Sequence, residues 1–194
     1  MRIVISVCLL VVLTAPALAK ENGPDTVNAE PDKSYSVSFA GVLDAGSGVY
    51  DRIYTAEMVP ECGAPASDSV NDGMAFDMVC IEVSDQQPIA VIVDPATTNI
   101  ADTVLTIYCD PFDPLHPEEN VVAFDDDDGV STLSAITEDD GLSLAPGQEY
   151  WLVISTYGAG MYGDFAIQTS DNVVGCGGLP LENSNWGTVK SLFR

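Results

Sequence analysis

Positive charge is the scarcest property of this sequence. Its 194 residues include 30 acidic residues but only 6 lysines and arginines, so the formal net charge is −24. No lysine or arginine occurs between Ile53 and Val189. Because binding to nucleic acid and docking on an anionic membrane both need a basic surface, we expect neither activity.

Groups that commonly take part in catalysis are also scarce. His116 is the only histidine, and it lies in the loop 114–118 between two prolines. Acyl and phosphoryl transfer commonly use histidine, arginine or lysine to move protons and stabilise developing charge. A glycosidase needs two carboxylates about 5–10 Å apart, but among 30 acidic residues such pairs arise by chance. We therefore expect a protein that is not an enzyme, and a secreted hydrolase ranks last among the alternatives.

The sequence has one long apolar run, and it stands at the N-terminus. Arg2 precedes an apolar stretch from Ile3 to Leu13, and Ala17-Leu18-Ala19 is typical of a signal-peptidase cleavage site. This stretch is shorter than the roughly 20 residues that a membrane-spanning helix needs. Residues 1–19 are therefore predicted to be a signal peptide, so we expect the protein to be secreted or held at the cell surface, with no membrane span after cleavage.

Four cysteines follow the predicted signal peptide. They are Cys62, Cys80, Cys109 and Cys176. An even number of cysteines in an exported protein indicates disulfide bonds. A zinc site is not expected, because no two of them have the short spacing of zinc ligands. Three pairings are open, and the favoured one joins Cys62 to Cys80 and Cys109 to Cys176, since it closes one local loop and ties the C-terminal segment to the domain.

Short apolar runs separated by turn-forming residues indicate an all-β protein. No long segment has the apolar spacing of an amphipathic helix. Residues 20–33 are polar and include two prolines, which predicts a flexible leader. About eight or nine strands with regular turn signals predict one sandwich or barrel over residues 34–170, followed by a C-terminal tail at 171–194. The strands are predicted around 34–39, 74–83, 89–93, 104–108, 121–124, 150–154 and 165–167.

Several of these segments follow one another in an order typical of a known family. Residues 102–108 read DTVLTIY, 122–129 read VAFDDDDG, 144–154 read LAPGQEYWLVI and 163–167 read GDFAI. Over residues 76–169 the chain resembles the bacterial pre-peptidase C-terminal domain family. The resemblance implies a jelly-roll-like antiparallel β-sandwich, similar to collagenase collagen-binding domains, and a non-catalytic accessory role. Two features depart from the family: 86–88 (QQP) stands where a glycine is expected, and the cysteines are not general family features.

The densest acidic cluster is the run of Asp125, Asp126, Asp127 and Asp128, which we call the acidic run. Ca²⁺ takes about six to eight oxygen ligands, and adjacent carboxylates repel one another unless a cation or solvent neutralises them. Alternate residues of a strand share a face, so at most two of the four would converge on one ion. Further oxygens would come from Asp102, Asp110 and Asp113, or from Asp139 and Asp140. The loop is not an EF-hand, because its first and twelfth positions would be Phe124 and Ala135. A calcium site and a solvated acidic turn both remain open.

A glycine-containing loop carries the candidate binding residues. Tyr157 and Tyr162 flank residues 158–160, which read GAG, and binding groups concentrate on such loops. We expect a secreted, non-catalytic β-sandwich module that binds an extracellular polymer, protein or glycan, and that calcium stabilises if the acidic run holds the ion. The alternative is a structural protein of the cell envelope in which Trp186–Arg194 acts as a sorting tail.

Overall fold

The computed structural model describes residues 35–70 and 72–177. The predicted signal peptide, the predicted leader and Trp186–Arg194 lie outside these residues. The described chain forms ten strands and one 3-10 turn, Glu138–Asp140. No helix within the described ranges has the length and apolar character that a membrane crossing requires. The strands are β1 Ser36–Leu43, β2 Gly48–Tyr50, β3 Met74–Val83, β4 Val91–Val93, β5 Thr103–Cys109, β6 Val121–Asp125, β7 Ala135–Ile136, β8 Tyr150–Thr156, β9 Gly163–Thr169 and β10 Val173–Gly175.

The strands form two antiparallel sheets, which confirms the prediction of an all-β sandwich. One sheet has the order β1-β9-β4-β7, and the other has the order β10-β3-β8-β5-β6. The short strand β2 also pairs with β3. Strand β8 occupies one edge of β3, and β2 and β10 share the other edge, with β2 at the beginning of β3 and β10 at its end. Strands β2 and β7 have three and two residues, too few to show the alternating pattern by which strands are predicted.

The main core lies between the two sheets. Leu105 and Ile107 of β5 and Leu152 of β8 pack with Phe165 and Ile167 of β9. A second apolar cluster, which includes Tyr50, Tyr108 and Val153, contains residues of opposite orientation on the same strands. Strand β8 is therefore buried on both faces, which agrees with the continuous apolar run at 150–154 and with its place between β3 and β5.

The disulfide pairing differs from the favoured prediction. Cys62 is bonded to Cys109, and Cys80 is bonded to Cys176, with Cα separations of 5.7 and 5.5 Å. The register of β3 and β10 explains the second bond, because it aligns Ile81 with Gly175 and so brings the next residue pair, Cys80 and Cys176, together. The favoured pairing of Cys62 with Cys80 and of Cys109 with Cys176 is therefore wrong, since strand register decides which side chains meet. Two disulfides fit a protein that folds in an oxidising compartment.

The first disulfide depends on a segment that covers the edge of β6. The amide N–H groups of Gly63 and Ala64 donate hydrogen bonds of 3.0 and 2.7 Å to the carbonyl oxygen of Val121. Strand β6 pairs with β5, which ends at Cys109, so Cys62 is held above that cysteine. The segment also protects a strand edge that would otherwise be open to pairing with another chain.

The domain extends beyond its predicted end at residue 170. Strand β10 follows that position and pairs with Val83, Glu82 and Ile81 of β3. The N–H of Gly177 then donates a 2.6 Å hydrogen bond to the Glu82 carboxylate. Residues 171–177 therefore belong to the sandwich, and the boundary at 170 is wrong because the short strand of three residues has no pattern of its own.

Candidate functional site

Four strand ends meet at one end of the sandwich. Thr103, which begins β5, pairs with Thr156, which ends β8, and Leu105 pairs with Asp125, which ends β6. The N–H of Tyr157 donates a 3.3 Å hydrogen bond to the carbonyl oxygen of Asp102. The segment 51–54, which follows β2, reaches the same place, so this end collects side chains from distant parts of the chain. We call it the tyrosine end.

Arg52 lies at the centre of the tyrosine end and is 1% exposed. It is the only lysine or arginine among residues 35–70 and 72–177. Its Nε lies 3.2 Å from Oδ2 of Asp72, and its Nη2 donates a 2.7 Å hydrogen bond to the carbonyl oxygen of Tyr157. Its buried Nη1 has no hydrogen-bond partner among the described residues. Arg52 thus ties the segment after β2 to the end of β8.

Two tyrosine rings enclose the guanidinium group. The guanidinium carbon of Arg52 lies 4.5 Å from the ring centre of Tyr54 and 4.7 Å from that of Tyr157. The two rings are 6.5 Å apart, with an edge-to-face geometry. Both remain exposed to solvent, at 43% for Tyr54 and 44% for Tyr157. The buried cation therefore fixes two rings that still present surface to the outside.

The structure places the two candidate tyrosines differently. Tyr157 and Tyr162 are both exposed, but Tyr157 is the one that packs on Arg52. Tyr162 lies just before β9 and is 48% exposed. Tyr54 is not among the predicted binding residues. The sequence does contain a pattern that could have identified Tyr54. Alternate residues of an extended chain share a side, so Tyr50 and Tyr54 are expected on the same side as Arg52.

The acidic run does not point uniformly to solvent. Asp125 is buried, and its Oδ2 accepts hydrogen bonds from the N–H of Ala135 at 2.7 Å and of Asp128 at 3.4 Å. Burial is the main cause that raises the pKa of Asp125 to about 7, despite the opposing hydrogen bond from Ala135. This carboxylate thus fastens the acidic run to β7.

The next carboxylates of the run lie near the tyrosine end. Desolvation raises the pKa of Asp126 to about 6, and the neighbouring charges of Asp102 and Asp127 add to the rise, while Arg52 opposes it. Desolvation also raises the pKa of Asp102, again against the effect of Arg52. The strand rule that alternate residues share a face does not apply to residues 126–128, because β6 ends at Asp125 and the following residues form bends. We call Asp102, Asp126 and Asp127 the acidic rim.

Two other predicted calcium ligands lie at the opposite end of β5. Asp110 accepts a 2.9 Å hydrogen bond from the indole N–H of Trp151. Asp113 lies 2.9 Å from Nδ1 of His116, and this hydrogen bond lowers the pKa of Asp113 and raises that of His116. Asp110 and Asp113 are therefore not brought to the acidic run, whereas Asp102 is.

One group of three residues among those described has its possible metal-binding atoms within 4.8 Å of one another: Cys80, Glu149 and Cys176. The two cysteines of this group form a disulfide, so they offer no thiolate. The calcium site at the acidic run stays a prediction, with Asp102, Asp126 and Asp127 as the carboxylates that the fold brings near one another.

Comparisons with known proteins identify no relative. A scan against protein-family models matched none of them, and searches of curated proteins and of solved structures also found no match. The geometry alone defines the chain as a disulfide-linked β-sandwich with an aromatic and acidic surface at one end. Its resemblance to the pre-peptidase C-terminal domain family stays a prediction from the sequence motifs.

Proposed function

We propose that this protein is a secreted, non-catalytic module that binds an extracellular polymer, protein or glycan, through its tyrosine end. The observation that carries the proposal is the pair of partly exposed rings that Arg52 holds in place. Rigid aromatic side chains supply contact area with little loss of conformational entropy, which is why they dominate binding surfaces. Two rings that are already held in place before the ligand binds would lose still less conformational entropy on binding.

The burial of Arg52 supports this interpretation. A buried ion pair is a poor source of stability, because removing two charges from water offsets most of their attraction. Apolar residues of similar volume would stabilise the same end of the sandwich as well or better. Since the ion pair adds little stability, we interpret the contacts of Arg52 with Tyr54 and Tyr157 as a way to orient the two rings for contact with a ligand.

Secretion is supported by two independent features. The N-terminal sequence from Arg2 to Ala19 is typical of a signal peptide. Two disulfides in a domain of this size fit an oxidising environment. Both features agree with a role outside the cytoplasm, where a module of this kind would meet its polymer.

A retention assay on insoluble polymers tests the proposal. The mature chain, residues 20–194, is mixed with collagen, chitin and cellulose in parallel, and bound protein is measured after washing. We expect retention on at least one polymer and its loss in the Tyr54→Ala/Tyr157→Ala double variant. Leu115→Ala is the matched control, because Leu115 is 81% exposed but lies in the loop after β5, at the opposite end.

Two results would contradict the proposal. The first is equal retention of the double variant and the wild-type chain, since the tyrosine end would then play no part. The second is absence of retention together with loss of a cell-envelope location on deletion of residues 186–194. That second result would favour the structural envelope protein with a sorting tail.

A further inference from the structure

The surface charge around the tyrosine end has one sign. Arg52 is the only lysine or arginine of the described residues, and it is buried. The carboxylate of Asp72 forms an ion pair with this guanidinium group, and Asp102 lies beside Tyr157, whose N–H donates a hydrogen bond to the Asp102 carbonyl oxygen. With Asp126 and Asp127 of the acidic rim, this end has four carboxylates and one cation. The rim residues are partly or fully exposed, so the region presents net negative charge to an approaching molecule.

The rim carboxylates lie where a further cation would stabilise them. The Ser134 hydroxyl group lies 2.7 and 3.1 Å from the carbonyl oxygens of Thr103 and Asp126, so the backbone next to Asp102 and the acidic run lie side by side. The like charges of Asp102, Asp126 and Asp127 that are gathered there repel one another. Arg52 compensates only in part, because its nearest carboxylate is that of Asp72. An additional positive charge at the rim would relieve this repulsion, and electrostatic complementarity of this kind also accelerates association.

Both tyrosine rings already contact a positively charged group, the guanidinium of Arg52. Each ring centre lies within 5 Å of a guanidinium carbon, a distance typical of cation–π contacts. Because both rings are more than two-fifths exposed, each still has surface for a second contact. Lysine and arginine side chains combine a positive head with an apolar stem, so they suit exposed rings bordered by carboxylates.

The geometry points to a basic segment of a partner protein, with lysine or arginine side chains along an extended chain, as the ligand of the tyrosine end. This inference rests on the proposed function and names its ligand class. A neutral glycan would use the rings but would gain nothing from the excess of negative charge. An acidic glycan would be repelled by it.

Fluorescence polarisation with short labelled peptides tests this inference. Octalysine is the probe and octaglutamate is the control of opposite charge, both in EDTA so that metal ions do not compete. A neutral chitin oligomer is tested in parallel by calorimetry. We expect octalysine to bind, octaglutamate not to bind, and octalysine affinity to fall as NaCl rises from about 20 to about 300 mM, because salt screens charge interactions.

Two matched pairs of variants locate the binding. Asp127→Asn and Asp139→Asn each remove one exposed carboxylate, but Asp139 lies in the 3-10 turn after β7. From Ser134, which contacts Val93 at one end of β4, the chain runs to Leu142, which contacts Ile89 before the other end of β4. Tyr54→Leu keeps an apolar side chain but no aromatic face, whereas Tyr54→Phe keeps the face. We expect Asp127→Asn and Tyr54→Leu to weaken octalysine binding by about threefold to tenfold, and their controls to change it by less than about twofold. Circular dichroism melting verifies that each variant is folded.

The outcomes separate the inference from the proposed function. If both carboxylate variants weaken octalysine equally and Tyr54→Leu has no effect, the attraction is general to this acidic protein and the inference is wrong. If the chitin oligomer binds in a tyrosine-dependent, salt-independent way while octalysine does not, the inference fails and the proposed function stands. If neither the peptides, the oligomer nor the insoluble polymers depend on Tyr54 or Tyr157, both fail.

Discussion

Arg52 contacts Tyr157 in two ways. Its Nη2 donates a 2.7 Å hydrogen bond to the carbonyl oxygen of Tyr157, and its guanidinium carbon lies 4.7 Å from the ring centre of the same residue. One side chain therefore positions both the backbone and the ring of the residue that follows β8. A change at Arg52 should consequently affect both the stability of this end and the orientation of its rings.

Loss of Arg52 is expected to destabilise the domain strongly. Arg52→Met removes the guanidinium but keeps an apolar stem, and it leaves the Asp72 carboxylate without its charged partner. Removal of one member of a buried ion pair costs about 3–5 kcal/mol. Denaturant unfolding measures the loss. The Arg52→Met/Asp72→Asn double variant should recover part of it, since no unpaired charge then remains. A loss below about 1 kcal/mol in the single variant would contradict the central role given to Arg52.

The two disulfides are expected to join Cys62 to Cys109 and Cys80 to Cys176. Proteolysis of the unreduced protein followed by mass spectrometry identifies the linked peptides directly. The bonds join cysteines 47 and 96 residues apart, and each should stabilise the fold by about 2–5 kcal/mol. Replacement of each cysteine pair by alanine should therefore lower Tm in both cases. A peptide that links Cys62 to Cys80 would overturn the pairing.

Stability is expected to fall as pH rises from about 4 to about 8. Burial raises the pKa of Asp125 to about 7 in the folded state, so the folded protein binds a proton there more tightly than the unfolded chain does. The resulting stability is complete below the unfolded pKa, near pH 4, and is lost as pH rises through about 7. The measurement is the free energy of unfolding at several pH values.

A variant isolates the contribution of Asp125 to this pH dependence. Asp125→Asn introduces an amide that cannot ionise, yet the amide oxygen can still accept the N–H of Ala135. The substitution should therefore flatten the decline by at least about 1 kcal/mol between about pH 5 and pH 8. Asp139→Asn is the control, since Asp139 is exposed, and it should preserve the wild-type slope. A slope unchanged in Asp125→Asn would show that another group causes the decline.

The calcium hypothesis predicts a rise in Tm with Ca²⁺ over EGTA, and no rise with Mg²⁺. A ligand that binds only the folded state stabilises it by about 2.7 kcal/mol when present at about 100-fold excess over its Kd. Thermal unfolding of residues 20–194 measures this effect, and Asp127→Asn should reduce it because Asp127 belongs to the acidic rim. Equal Tm values in EGTA and in Ca²⁺ would mean that the acidic run is a solvated turn.

Local patterns in the sequence predict most of the fold. The segments 74–83 and 150–154 have apolar residues in runs that strands require, and the structure places them in β3 and β8. The apolar character of 150–154 on both faces also predicts the central position of β8. Strands β2, β7 and β10 are missed because two or three residues carry no period.

The tyrosine end is predicted only in part. Tyr157 and the acidic run are recognised from the sequence because loops and carboxylate clusters are local features. Their relation to Arg52 is not, because Arg52 and Tyr157 are 105 residues apart and meet only after the sheets form. The inward turn of Asp125 likewise depends on Ala135 being nearby, which the pairing of β4 with β7 and the packing of the two sheets decide.

Residue types and short spacings are enough to establish the β class, the central strand, the negative charge and the number of disulfides that four cysteines permit. These properties follow from composition and local sequence pattern, so they do not depend on which distant residues come into contact. The folded arrangement is needed to establish which cysteines pair, which carboxylates are buried, and that Arg52 lies between Tyr54 and Tyr157. Each of these depends on strand register, and register is set by the packing of the whole core, where a shift of one residue would turn every side chain to the other face.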